Sequence, residues 1–160
     1  MDGALLSKAF ERNLRIVKAQ TDGVSHEESL TQTAYNINCL NWVVGHVVQS
    51  RDVTLAVLGI DGVLTPDQFD RYERESDPVT EDGPHVVRLE DLVAAMETQQ
   101  ERLAAALEPL TAEDLEAPHP RGDSETTLLR RIHFQYFHDS YHTGQTDLLR
   151  QVSGKSDKII

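Results

Sequence analysis

Two histidines one helical turn apart, His138 and His142, stand in the stretch Phe134-Gln135-Tyr136-Phe137-His138-Asp139-Ser140-Tyr141-His142-Thr143-Gly144-Gln145. At about 100° per residue they lie within roughly 40° of each other on a helix surface, so two imidazoles can grip one ion. Phe134, Phe137, Tyr141, Leu148 and Leu149 share their stripe, as does Gln145, which predicts that the pair faces the protein core. Imidazole nitrogens buried in an apolar stripe must be satisfied, and a metal ion satisfies both at once. The bland alternative is a pair of core histidines hydrogen-bonded to backbone or neighbours.

A third ligand is expected from a facing helix, and Asn38-Cys39-Leu40-Asn41-Trp42-Val43-Val44-Gly45-His46-Val47-Val48 supplies His46. Its helical neighbours Cys39, Trp42 and Val43 put it on the inward side of an apolar helix, and Gly45 allows close packing beside it. Three neutral imidazoles leave a coordination position for water or substrate, the arrangement of a catalytic rather than a closed structural site. Imidazole ligands alone do not choose among divalent metals.

Four amphipathic helices must carry these residues. The first is predicted over Gly3 to Gln20, on the spacing of Leu5, Leu6, Ala9, Phe10, Leu14 and Val17. The second should begin near Asn36 or Asn38, either able to cap it, and end at Gly59. The third covers about Leu89 to Leu107, with Gln100 at an otherwise apolar position, and Pro109 ends it. The fourth is predicted from about Ser124 to Val152. Between the second and third, Thr65 and Pro66 announce a short helix to about Glu73, followed by a long loop. At most one turn of helix is expected around His26. The fold class is therefore all-α, a four-helix bundle with a short extra helix in the long connection between helices 2 and 3. One domain over residues 1–152 and a flexible tail over residues 153–160 complete the organisation.

Composition narrows the partners. The 27 acidic and 15 basic residues give a net charge of -12, which disfavours nucleic acid. No apolar run is long enough to span a membrane and the N-terminus does not resemble a signal peptide. With Cys39 as the only cysteine, disulfides and Cys-rich zinc modules are excluded and a cytoplasmic location is expected. Cys39 itself reads as a small buried hydrophobe, and Trp42, Tyr141 and Phe134 as core packing. His133 falls to a surface or interface position, and His26, His85 and His119 to polar, solvated loops, with His85 within reach of a pocket if its loop folds over.

Asn41-Trp42-x-x-Gly45-His46, followed on the fourth helix by His138-x-x-x-His142-x-Gly144-Gln145, resembles the DinB/YfiT-like metalloprotein family. The resemblance implies a four-helix bundle with His46, His138 and His142 as metal ligands, and zinc or nickel as the ion. Asp139 and Thr143 stand where members of that family often carry Glu and Arg. Some relatives are thiol-dependent transferases or isomerases, which implies a metal-activated thiolate, a small-molecule thiol and an electrophilic substrate. A homodimer packed through helix faces is implied as well. A non-catalytic metal-binding stress or interaction protein and a metal-dependent hydrolase are the competing readings.

Overall fold

The computed structural model describes residues 2–35, 37–157 and 159. They form seven helices: α1 (Gly3–Thr21), α2 (His26–Ser29), α3 (Leu40–Val57), α4 (Pro66–Arg71), α5 (Leu89–Leu107), α6 (Ala112–Glu116) and α7 (Leu128–Val152). The four long ones make a bundle in which α1 and α3 each pack on both α5 and α7. The all-α bundle with its extra helix between the second and third long helices is therefore the fold.

Local chemistry sets the boundaries. Asp2 accepts from the Leu5 amide to start α1, and Thr65 and Gln68 form a reciprocal capping box around α4, with Pro66 at its head. Gly59 ends α3 with a positive φ of 75°. The head of α3 differs from expectation, because Cys39 occupies the cap position and its side chain makes no capping hydrogen bond; Asn36 lies outside the described residues. The fourth long helix starts at Leu128 rather than near Ser124. Bridges between Pro118 and Thr127 and between Arg121 and Ser124 fold residues 118–127 into a narrow turn, and Thr127 then caps α7. The unanticipated α6 carries its own capping box, Thr111 with Asp114.

Two apolar clusters stabilise the bundle by burial. One contains Leu6, Phe10, Leu55, Leu103, Leu107 and Ile132; the other contains Val17, Val43, Val44, Val47, Leu92 and Met96. Between them lies a layer of buried polar side chains drawn from all four long helices: Asn13, Arg51, Asp52, Gln99, Gln100 and Asp139. Arg51, fully buried, donates to Asp139 through Nε at 2.6 Å and to the Phe10 carbonyl, while Asn13 donates to Asp139 at 2.8 Å. Gln99 ties Asp52 to the Val48 carbonyl, and Gln100 donates to the Ser7 carbonyl. Such a layer fixes the rotation of each helix, since a turn about its axis would strand a buried donor or acceptor.

Candidate metal centre

His46 enters the α3–α7 interface from α3, and His138 and His142 meet it from α7. Ring centroids of the three imidazoles lie 4.5 to 4.9 Å apart in edge-to-face contacts. One ligand atom from each ring can be chosen so that all three lie within 4.8 Å of one another. The structure therefore brings together the three residues singled out in the sequence and makes of them a group able to hold a metal ion.

Hydrogen bonds prepare the rings for that role. The Nδ1 of His46 is 2.7 Å from the Tyr72 carbonyl oxygen. A carbonyl only accepts, so Nδ1 carries the proton and Nε2 keeps its lone pair. The Nδ1 of His142 lies 2.8 Å from Gln145 Oε1, and with its proton on Nδ1 donated there, Nε2 is left as the donor atom for a metal. His46 Nε2 and His138 Nε2 face each other at 3.2 Å. Two nitrogens bound to one tetrahedral ion at about 2.1 Å would be about 3.4 Å apart, so this separation suits shared coordination. The buried Nδ1 of His138 has no hydrogen-bond partner among the described residues.

Electrostatics point the same way. Burial is the main reason all three imidazoles lie below their ordinary pKa; His138, with His142 and His46 beside it, is pushed down to about 4. Neutral rings with free lone pairs are what a divalent cation requires.

The elements behind the ligands are tightly packed. Trp42 stacks on His46 with centroids 4.8 Å apart and donates its indole N–H to Ser76 Oγ. The Tyr72 ring lies directly over Gly45, where an added Cβ would come within 2.2 Å of ring carbons. Gly45→Ala should therefore push away the buried Tyr72 ring, cost about 1–3 kcal/mol from overpacking and pull the Tyr72 carbonyl off His46. Thermal denaturation with metal titration checks both effects. Tyr72 was not singled out in the sequence, because it acts through a backbone carbonyl; Gly45 was the only trace it left.

The apolar stripe around the histidines requires correction. Phe134, Phe137, Tyr141 and Leu148 are 55%, 59%, 58% and 66% exposed, so the stripe does not face the core, and Tyr141 and Phe134 are not core residues. Leu149 and Trp42 are buried as expected. The inward face of α7 is instead Ile132, Asp139, Thr143, Thr146, Leu149 and Arg150, mostly polar groups that meet the buried layer. His138 and His142 sit on the seam between these faces. They open into a cavity of about 700 Å³ walled by Trp42, Val43, Phe137, Tyr141, Leu148 and Leu149.

The remaining candidates lie elsewhere. Cys39 is buried, with its thiol 3.2 Å from the Val79 carbonyl, and stands outside the imidazole group. His133 and His85 are exposed, and His85 does not line the cavity. His26 is a correction: it is 2% exposed, and its Nδ1 accepts from the Leu89 amide at the head of α5. It is the first residue of the capped turn α2, which turns it inward.

Together the helical architecture and the imidazole group define a four-helix bundle protein with a site able to hold a metal ion. The chain belongs to the DinB superfamily, whose sequence profile matches residues 9–146. It is also similar in structure to a conserved protein of Enterococcus faecalis solved by crystallography, with a TM-score of 0.74 at 18% identity, over 97% of this chain and 99% of that one. At that identity the likeness speaks for the fold. No curated protein sequence matches the chain significantly. Among the described residues no helix is long and apolar enough to cross a membrane.

Proposed function

We propose that His46, His138 and His142 hold one divalent ion, zinc or nickel, and that the protein uses it to transfer a small-molecule thiol to an electrophile. The observation that carries this reading is the preparation of the rings: the Nδ1 atoms of His46 and His142 are committed to Tyr72 and Gln145, and one ligand nitrogen from each of the three rings lies within 4.8 Å of the others beside an open cavity. A divalent cation bound there would supply Lewis acidity that lowers the pKa of a thiol at its open position. The chain's own contribution is orientation and exclusion of water. Tyr72 and Gln145 fix the imidazole planes, Trp42 backs His46, and the apolar wall of Phe137, Tyr141 and Leu148 shields a substrate body.

Elemental analysis of protein purified without metal-affinity resin tests the ligand set. Wild type should retain close to one ion per chain, and His142→Ala should retain far less. Equal metal content in the two would overturn the assignment. Turnover of an electrophile such as a haloaromatic with a low-molecular-weight thiol, lost on chelation and restored by metal, tests the transfer step.

A homodimer through α7 is part of the proposal. The exposed residues Arg130, Phe134, Phe137, Tyr141, Gly144, Leu148 and Gln151 recur at alternating four- and three-residue steps, the period of a helix seam that pairs with another helix. Antiparallel pairing with a second copy would set the basic Arg130 end of the seam beside the acidic Asp147 end. Sedimentation should give a dimer that Phe137→Glu dissociates, whereas a monomeric wild type would end this part of the reading.

A further inference from the structure

The cavity beside the imidazoles is apolar over most of its wall, and among its described lining residues Arg74 alone carries a permanent charge. In a chain with 27 acidic residues, a cavity lined by no carboxylate is a selective arrangement. The backbone turn that carries Arg74 is held in place by its neighbours. On one side Tyr72 is fully buried, with its carbonyl on His46 and its hydroxyl donating to Asn41 Oδ1. On the other side Ser76 Oγ accepts from Trp42 and donates to the Arg71 carbonyl. Between these two anchors Glu75 adopts φ 70°, a left-handed conformation that costs energy for a residue with a Cβ. The pinned turn sets Arg74 at the rim of the cavity, its side chain largely in solvent but near enough that its charge is felt at His46. Among the described residues its ionic neighbour is Glu75, 3.9 Å away with both side chains highly exposed, a contact too weak to occupy five N–H donors.

We infer that Arg74 is the specificity-determining residue of this cavity and selects organic anions, ligands with an apolar body and a carboxylate that the guanidinium receives. The apolar wall takes the body and Arg74 the charged end. The inference builds on the proposed function only in taking the cavity as the ligand site, and within that reading it names the thiol or its acceptor as a carboxylate-bearing compound.

Trp42, the only tryptophan of the chain, lines the cavity and reports binding by its own fluorescence without any metal. Metal-free protein at low ionic strength is titrated with hexanoate, 1-hexanol and hexylamine, three probes of similar length and different charge. Hexanoate should bind about three- to fivefold more tightly than hexanol, the range expected of an exposed ion pair, and hexylamine least of all. Arg74→Gln should bring hexanoate down to the level of hexanol without changing hexanol, and Arg74→Lys should keep most of the preference. Equal binding of hexanoate and hexanol by wild type, absence of a saturable response to hexanoate, or a preference that survives in Arg74→Gln would each overturn the inference. Failure of the protein to take up a divalent ion would remove the proposed chemistry and leave this titration unaffected.

Discussion

Replacing Arg51 with methionine is expected to lower the unfolding free energy by about 3–5 kcal/mol, seen as an earlier urea midpoint with little change in slope. The side chain is fully buried and its partner Asp139 is 1% exposed, so the carboxylate left behind would have no access to water. Asn13 and Thr143 would remain beside Asp139, but neither carries charge. The cost comes from the stranded charge rather than from the lost pair. Adding Asp139→Leu to Arg51→Met should therefore recover much of the loss, because a hydrophobic replacement of both partners removes the desolvation penalty as well. A single substitution costing under about 1 kcal/mol would show that water reaches this layer.

The same pair bears on the metal centre. Asp139 directly follows His138 on the inward face of α7, and Arg51 reaches it from α3, five residues beyond His46. The ion pair consequently sets the rotation of α7 against α3, and with it the meeting of His138 and His142 with His46. Asp139 turns inward to a buried arginine and does not line the cavity.

The helices and the three histidines were legible in the sequence because both leave periodic traces. α1 and α5 have one apolar face each, and capping residues mark α4 by residue type. The orientation of α7 was not legible, for a physical reason. Its interior is mostly polar, with Asp139, Thr143 and Thr146 hydrogen-bonded within the bundle and Arg150 donating to the Gln20 and Asp22 carbonyls, while Phe134, Phe137 and Tyr141 are exposed. Hydrophobic periodicity reports where an apolar face is, not whether that face meets the core, a ligand cavity or another chain. Partners far away in sequence, such as Asn13 and Arg51 for Asp139 and the Gln20 carbonyl for Arg150, determine which face turns inward. The backbone carbonyl of Tyr72 and the pinned position of Arg74 were invisible for a related reason: both depend on the path of the loop after α4.

Metal should raise stability strongly, and the gain should vanish with acid. With a free ion at a thousandfold its dissociation constant, binding only to the folded chain adds about 4 kcal/mol at neutral pH. His46→Gln should abolish that increment. Protons compete for the same nitrogens, and the sign follows from the pKa values. In the metal-free folded protein His138 titrates near 4, below the ordinary 6.5 it regains on unfolding, and His46 and His142 are lowered too. The unfolded chain therefore binds more protons between these values, so the stability contributed by neutral imidazoles is complete above about pH 6.5 and lost as pH falls toward 4. Denaturation of metal-free and metal-loaded protein across that window should show both falling, the loaded form more steeply because it also loses its ion. The metal-free bundle should nevertheless stay folded at pH 7, since neither apolar cluster contains an imidazole. A chain that unfolds on chelation at neutral pH would instead assign the ion a structural role, and the open position beside the cavity would then have no need of a substrate.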